Sequence, residues 1–280
     1  MKTINLRRLL LRLLLYVTVI LVVLCFLFPF YWMTISGFKH PDDLFRLPPA
    51  LVPIRWSVEF YRRVLTAKAF GNLALNSLLI ALTSTALSVT VGTLGAYSIT
   101  RFKYWGRTFI SQMVLFVYMF PAILLVIPLF FIFKNLGLVN TYAGLIMAET
   151  TFALPFCLWL LIAFFRTIPE DIESAAMVDG CERLEVLWRI VIPLAAPGIA
   201  AAAVFAFIST WNEYLFAMVL INSDQLKTLP LGVANYVTAE STHWGEAMAA
   251  ATLLSVPVFV FASIVQRQLV SGLTAGAVKG

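Results

Sequence analysis

Apolar residues along this chain do not alternate with polar ones; they run together. Six runs are long enough to cross about 30 Å of hydrocarbon as helices, near residues 13–36, 72–99, 109–133, 142–165, 195–221 and 247–266. The pattern predicts an all-α integral membrane protein with six transmembrane helices, because a helix satisfies its own backbone in lipid. Its single membrane domain divides into an N-terminal segment 1–12, a first span 13–36, a five-span core over 72–266 and a tail at 267–280. Composition agrees, since 61% of residues are hydrophobic and only 12% charged, against roughly half and a quarter in soluble domains. The first run follows Lys2, Arg7, Arg8 and Arg12 and imitates a signal peptide. It is too long and lacks a small-residue cleavage site, so it is read as an uncleaved span with a cytoplasmic N-terminus. Both tails and the loops at 101–107 and 166–190 then share that side and hold 12 of the 20 Lys and Arg residues.

Smaller features refine this picture. Pro29, Pro121, Pro128, Pro155, Pro197 and Pro257 fall inside the runs and are read as shaping the helices. The stretch "WSVEFYRRVLTAKAF" (56–70) predicts an amphipathic surface helix with Trp56, Phe60, Val64 and Leu65 on its apolar side. Cys25, Cys157 and Cys181 lack metal or redox spacing and are read as buried small hydrophobes. The net charge of +6 belongs to loops at lipid headgroups, and no soluble basic domain exists to bind nucleic acid.

One segment departs from the greasy background. "RTIPEDIESAAMVDGCERLEVLWRIVIPL" (166–194) carries six of the 14 acidic residues. Thr167 is a candidate N-cap with Glu170 closing a capping box, and Pro169 suits the first turn. Glu170, Asp171 and Glu173 complement the positive helix end, and Asp179-Gly180 is a stop signal. A second short helix places Leu184, Leu187, Trp188 and Val191 on one face before Pro193 ends or kinks it. Ala175 and Ala176 add a flat surface. The pattern describes a helical protrusion outside the lipid, either folded against its own bundle or docking a soluble partner.

Within it, "SAAMVDG" (174–180) followed by "IVIP" (190–193) resembles the EAA loop of permease subunits in binding-protein-dependent ABC importers. Ala175, Ala176, Asp179, Gly180 and Pro193 fit that loop. Counted back from the glycine, the glutamate position holds Ser174, with Glu173 one residue earlier. "TWNEYLFAMVL" (210–220) and the ending "GLTAGAVKG" (272–280) are similar to the carbohydrate branch, close to its smaller, maltose-type subunits. The resemblance implies a type I importer permease in a prokaryotic inner membrane, with the 166–194 loop cytoplasmic and seated in a groove of an ATPase. Glu173 or Ser174 would supply the docking polar group, beside Ala175, Ala176, Asp179, Gly180, Leu184, Leu187, Trp188 and Pro193. It also implies a second permease subunit, an ATP-binding subunit dimer and an extracytoplasmic binding protein that meets the 222–246 loop. ATP and magnesium would belong to the ATPase, and this chain would bind no cofactor.

The sequence contains no G-x-x-x-x-G-K-[ST] phosphate loop, and Gly92 and Gly95 are read as helix-packing positions. Polar residues within spans are costly and mark either a solute pathway or interhelical hydrogen bonds. Asn76, Glu149, Trp211, Asn212, Glu213 and Tyr214 are the candidates. Three rivals are weighed: an ABC permease for glycerol phosphate, polyamine or peptide, a secondary transporter with Glu149 and Glu213 carrying protons, and a membrane-embedded enzyme. The last has only His40 and His243 and no paired-acid constellation to work with.

Overall fold

The structure, a computed structural model, describes the backbone of residues 6–67, 69–237 and 243–277, with side chains described from residue 10 to 265 within those ranges. Part of the 222–246 loop, the side chains of the 267–280 tail and its last three residues therefore lie outside the described residues. In chain order the helices are α1 (Leu6–Gly37), α2 (Glu59–Thr66), α3 (Phe70–Arg101), α4 (Arg107–Tyr118), α5 (Ala122–Asn135) and α6 (Tyr142–Phe165). Then follow α7 (Glu170–Val178), α8 (Arg183–Val186), α9 (Ile192–Trp211), α10 (Leu215–Leu220), α11 (Leu229–Ala234) and α12 (Trp244–Ala277).

Among the described residues, five helical stretches are long and apolar enough to span a bilayer: Leu10–Gly37, Phe70–Arg101, Tyr142–Phe165, Arg183–Trp211 and Trp244–Val265. The predicted third span is not one straight helix. α4 and α5 meet at a bend of 103°, where Pro121 is extended (φ −61°, ψ 121°). Proline has no N–H to continue the helical ladder and disfavours helical geometry in the residue before it. The predicted fifth span also differs. It begins within the acidic segment, because one π-helical turn (Leu187–Val191) joins α8 to α9 without a break. There the Ile192 N–H donates to the Leu187 carbonyl, five residues back. This wider turn carries the chain into Pro193, which neither ends nor splits the helix. The break comes instead at Asn212–Tyr214, ahead of α10.

The chain forms two compact units. The first holds residues up to Ala67 together with Val233–Ser255. In it α1 is exposed along its whole length from Leu10 to Tyr31, as expected of a helix whose solvent is lipid. An antiparallel bridge pairs Lys39 with Trp56. Lys39 is only 2% exposed, and its ammonium stands 4.1 Å from the Trp32 ring centroid, a cation–π contact that offsets part of its desolvation. Burial lowers the Lys39 pKa. The predicted amphipathic helix is α2, but only Phe60 and Val64 turn inward, while Trp56 and Leu65 stay exposed. Phe60 lies directly over Gly245, whose missing side chain leaves room for the ring. Arg63 ties α2 to the start of α12 through Glu246 at 2.9 Å and also bonds Glu59.

The second unit holds Lys68–Gly232 and the chain from Val256 onward. Its centre is the packing of α3, α6 and α9. Gly92 and Gly95 act as read from the sequence: a Cβ at Gly92 would sit 3.3 Å from Leu161 Cδ1, and one at Gly95 3.0 Å from Leu158 Cδ1. One buried cluster joins Tyr97, Cys157, Leu161 and Phe165 to Ala176, Leu187 and Val191. The other gathers Ile80, Leu145, Ala148, Phe216 and Leu220. Of the three cysteines only Cys157 is fully buried; Cys181 is half-buried and Cys25 is exposed.

Candidate functional site

The acidic segment folds as helix, turn, helix, as its pattern predicts. The three acidic residues Glu170, Asp171 and Glu173 occupy the first turn of α7, where they complement the helix dipole. The cap itself differs from expectation. Pro169 is the N-cap and has no side-chain bond, while Thr167 Oγ1 donates backward to the Phe164 carbonyl at 2.7 Å. The capping box forms instead at the start of α8, where Glu182 and Glu185 bond each other's backbone N–H groups. α7 ends as Asp179-Gly180 foretells. Gly180 has φ 95°, the Cys181 N–H donates to the Ala176 carbonyl at 3.0 Å and the Gly180 N–H to the Met177 carbonyl at 3.2 Å. This is a Schellman turn, whose left-handed residue is usually glycine.

Burial sorts the candidate docking residues into two sets. Glu173 is 4% exposed and points inward. Its Oε1 accepts from Arg101 Nε at 2.6 Å, and Tyr97 Oη donates to Oε2 at 3.4 Å. The expectation that Glu173 meets a basic residue of another chain is thus corrected: its partner is Arg101 of α3. Ala176 and Leu187 are likewise buried in the chain's own core, so the apolar face predicted for the second helix is split. Leu184 (64%) and Trp188 (62%) face outward with Ile172 (43%) and Val178 (88%). Ser174, Ala175, Asp179 and Gly180 are exposed beside them, and the Ser174 hydroxyl donates to the Glu170 carbonyl at 3.1 Å. Pro193 lies within the helix and is exposed. Arg101 and the exposed Ile172 and Val178 were missed at the sequence level. Arg101 sits 72 residues from Glu173 along the chain, and no local spacing announces such a pair.

The intramembrane candidates also divide. Asn76 does not offer its amide to a solute. Its Nδ2 donates to the carbonyls of Gln225 (2.8 Å) and Lys227 (2.9 Å), and its Oδ1 accepts from Tyr142 Oη at 2.8 Å. Ser77 Oγ accepts the Leu229 N–H at 2.7 Å, and Asn140 Oδ1 accepts the N–H groups of Asn222 (3.0 Å) and Ser223 (2.9 Å). Residues 222–229, read from sequence as part of a polar loop, are therefore pinned to α3 and to the turn before α6. Glu149 is 5% exposed and lies beside Glu213. Glu213 in turn accepts the N–H groups of Phe216 (2.8 Å) and Ala217 (3.2 Å), capping α10. Trp211 is 2% exposed and stacks on Phe207. Asn212 and Tyr214 are the exposed members of the break, with Asn212 Nδ2 bonded to the Ile208 carbonyl at 2.8 Å.

Helices long and apolar enough to cross a membrane, with a short helical segment between two of them that exposes carboxylates and apolar side chains, describe a multi-pass membrane protein. Residues 88–275 match the family described as binding-protein-dependent transport system inner membrane component, and the chain belongs to that family. It is 39% identical over 256 residues to the inner membrane ABC transporter permease protein YcjP of Escherichia coli K12, covering 91% of both chains. It is 37% identical to the trehalose/maltose transport system permease protein MalG of Thermococcus litoralis, over 96% of this chain and 97% of that one. With the trehalose transport system permease protein SugB of Mycobacterium tuberculosis it shares 38% over 82% of this chain and 85% of that one. Its fold is that of a chain in a bacterial ABC importer of the polysaccharide alginate, with a TM-score of 0.80 at 23% identity, over 95% of this chain and 98% of that one. The protein is thus a multi-pass inner-membrane permease subunit of a binding-protein-dependent ABC importer, and is not its ATPase. The secondary-transporter and membrane-enzyme readings fall with that membership.

Proposed function

We propose that this chain forms half of the translocation pathway of an ATP-driven carbohydrate importer, with both termini in the cytoplasm. A second permease subunit supplies the other half. A pair of ATP-binding subunits docks on the 166–194 segment, and an extracytoplasmic binding protein delivers the sugar. The observation that carries this reading is the outward face of the segment. Leu184 and Trp188 are each more than 60% exposed on a segment also rich in carboxylates, a patch that a monomer would not leave uncovered. The sugar assignment is supported by relatives named for trehalose and maltose over nearly the whole chain.

The test is reconstitution of the complete transporter in liposomes, with radiolabelled trehalose and maltose offered through the binding protein. ATP-dependent accumulation is expected with the wild type. Its loss is expected with Leu184→Glu/Trp188→Glu, along with loss of the co-purifying ATPase. Surface changes of this kind alter chain stability by only about ±0.5 kcal/mol, so the purified permease should melt as before. Uptake of a glycerol phosphate or a peptide in place of either sugar would overturn the carbohydrate assignment. Full ATPase retention by the double variant would overturn the docking face.

A further inference from the structure

We propose that Arg101 and Glu173 act as a positioning clamp that makes α7 move as one body with α3 and α6, so that movement of the motor reaches the spans. The proposal rests on the reading of 166–194 as the ATPase dock and adds the element that connects the dock to the pathway.

The geometry is specific. Arg101 is the last residue of α3. Its Nε bonds Glu173 Oε1 at 2.6 Å, and each side chain is 6% exposed. Its Nη2 donates to the carbonyls of Phe165 (3.0 Å) and Ile168 (2.9 Å). Phe165 is the last residue of α6, whose terminal carbonyls have no partner within the helix. One guanidinium therefore joins the end of α3, the end of α6 and the linker that leads into α7. Arginine suits this task because its fixed fork of donors serves several acceptors at set angles, which a single ammonium does not. Tyr97, Phe165, Ile168 and Ala176 belong to the apolar cluster around it. A second contact reinforces the joint: the Arg183 guanidinium carbon lies 5.2 Å from the Phe102 ring centroid, tying the start of α8 to the residue after α3.

A buried ion pair is weak evidence for stability, because apolar residues of similar volume commonly replace one without loss. What such a replacement discards is direction: the bonds hold α7 at one angle to α3, whereas apolar side chains slide. That distinction separates positioning from mere stability. A joint that carries motion from the motor to the spans also carries the effect of the binding protein back to the motor, which makes the rate of ATP hydrolysis a readout of the clamp.

The experiment uses the complete transporter in lipid nanodiscs with its binding protein as the probe. It reads two quantities: the ATPase retained on purification, and the factor by which the binding protein accelerates ATP hydrolysis. Arg101→Met/Glu173→Leu is expected to retain the ATPase, because the outward face is untouched, and to lose at least fivefold of the acceleration. Arg101→Lys should recover part of it, since one charged bond to Glu173 survives. Wild-type acceleration in an assembled double variant would overturn the clamp. If the double variant fails to fold, Glu173→Gln serves instead. It keeps an acceptor but loses the charge, and undiminished acceleration there would equally overturn the proposal. Failure of the wild-type chain to retain any ATPase would sink the docking reading itself, a result distinct from either.

Discussion

Gly180 tests whether the shape of the acidic segment or its bulk governs docking. The residue holds φ 95° at the end of α7, and a Cβ placed there would meet nothing within 4 Å. In this chain Gly180→Ala therefore adds conformational cost alone, about 1–2 kcal/mol for a non-glycine residue in the left-handed region. That cost favours opening the turn in the free loop, and docking must then restore it. A penalty of this size corresponds to roughly 5- to 30-fold weaker docking. Asparagine visits the left-handed region because its short amide bonds the nearby backbone, so Gly180→Asn should lose less than alanine despite being larger. Gly180→Val, with its branched Cβ, should lose the most. The assay is titration of the solubilised permease with purified ATPase by light-scattering-free thermophoresis, giving a Kd for each variant. The expected order of affinity is Gly, Asn, Ala, Val. An order that follows side-chain size, with alanine ahead of asparagine, would show that the partner touches position 180 and would refute the backbone argument. Equal affinities would refute any role for the turn.

Asn76→Leu removes three hydrogen bonds between α3, Tyr142 and the 225–227 carbonyls, which at about 0.6 kcal/mol each within membrane bundles is roughly 2 kcal/mol. A lower Tm of the purified chain and faster proteolysis at 222–229 should report it. Gly198→Ala drives a Cβ into the Phe164 ring, an overpacking of about 1–3 kcal/mol. Phe164→Leu should recover much of that loss in a double-mutant cycle. The Asp43 carboxyl, outside the spans, is held below its ordinary value of 3.8 chiefly by the hydrogen bond from Arg55. Its folded pKa is thus lower than its unfolded one. The stabilisation is present above about pH 3.8 and drains away as pH falls through the folded value. Asp43→Asn should flatten that part of the acid dependence of amide exchange in residues 40–56.

Most of the architecture was legible because lipid imposes one rule: long apolar runs become helices. The misjudged boundaries came from proline and from register. Pro121 stops a helix where Pro155 and Pro197 do not, since the outcome depends on whether neighbouring groups take over the lost hydrogen bond. The turn at Gly180 was legible because a left-handed residue has a local signature. The partner of Glu173 was not, because tertiary pairs leave no mark in local spacing. The same holds for Asn76, whose polar side chain in a span looks alike whether it faces a solute or clasps a loop.

The gathering of carboxylates in one segment has a divided cause. Glu173 is bound to Arg101. Glu182 and Glu185 cap a helix, and Glu185 also pairs with Arg189 at 3.4 Å. Glu170, Asp171 and Asp179 remain exposed, on the same segment as Ile172 and Val178. The division follows helical phase. In α7 the inward positions are Glu173 and Ala176, three residues apart. The Schellman turn then resets the phase, so that Val186, Leu187 and Val191 face in while Leu184 and Trp188 face out. A segment that only decorated the surface would need no buried ion pair, and one that only completed the core would not leave Trp188 exposed. Two opposed faces on short helices, one fixed to α3 and α6 and one open, are what the proposed dock needs to pass motion from a soluble motor to the spans.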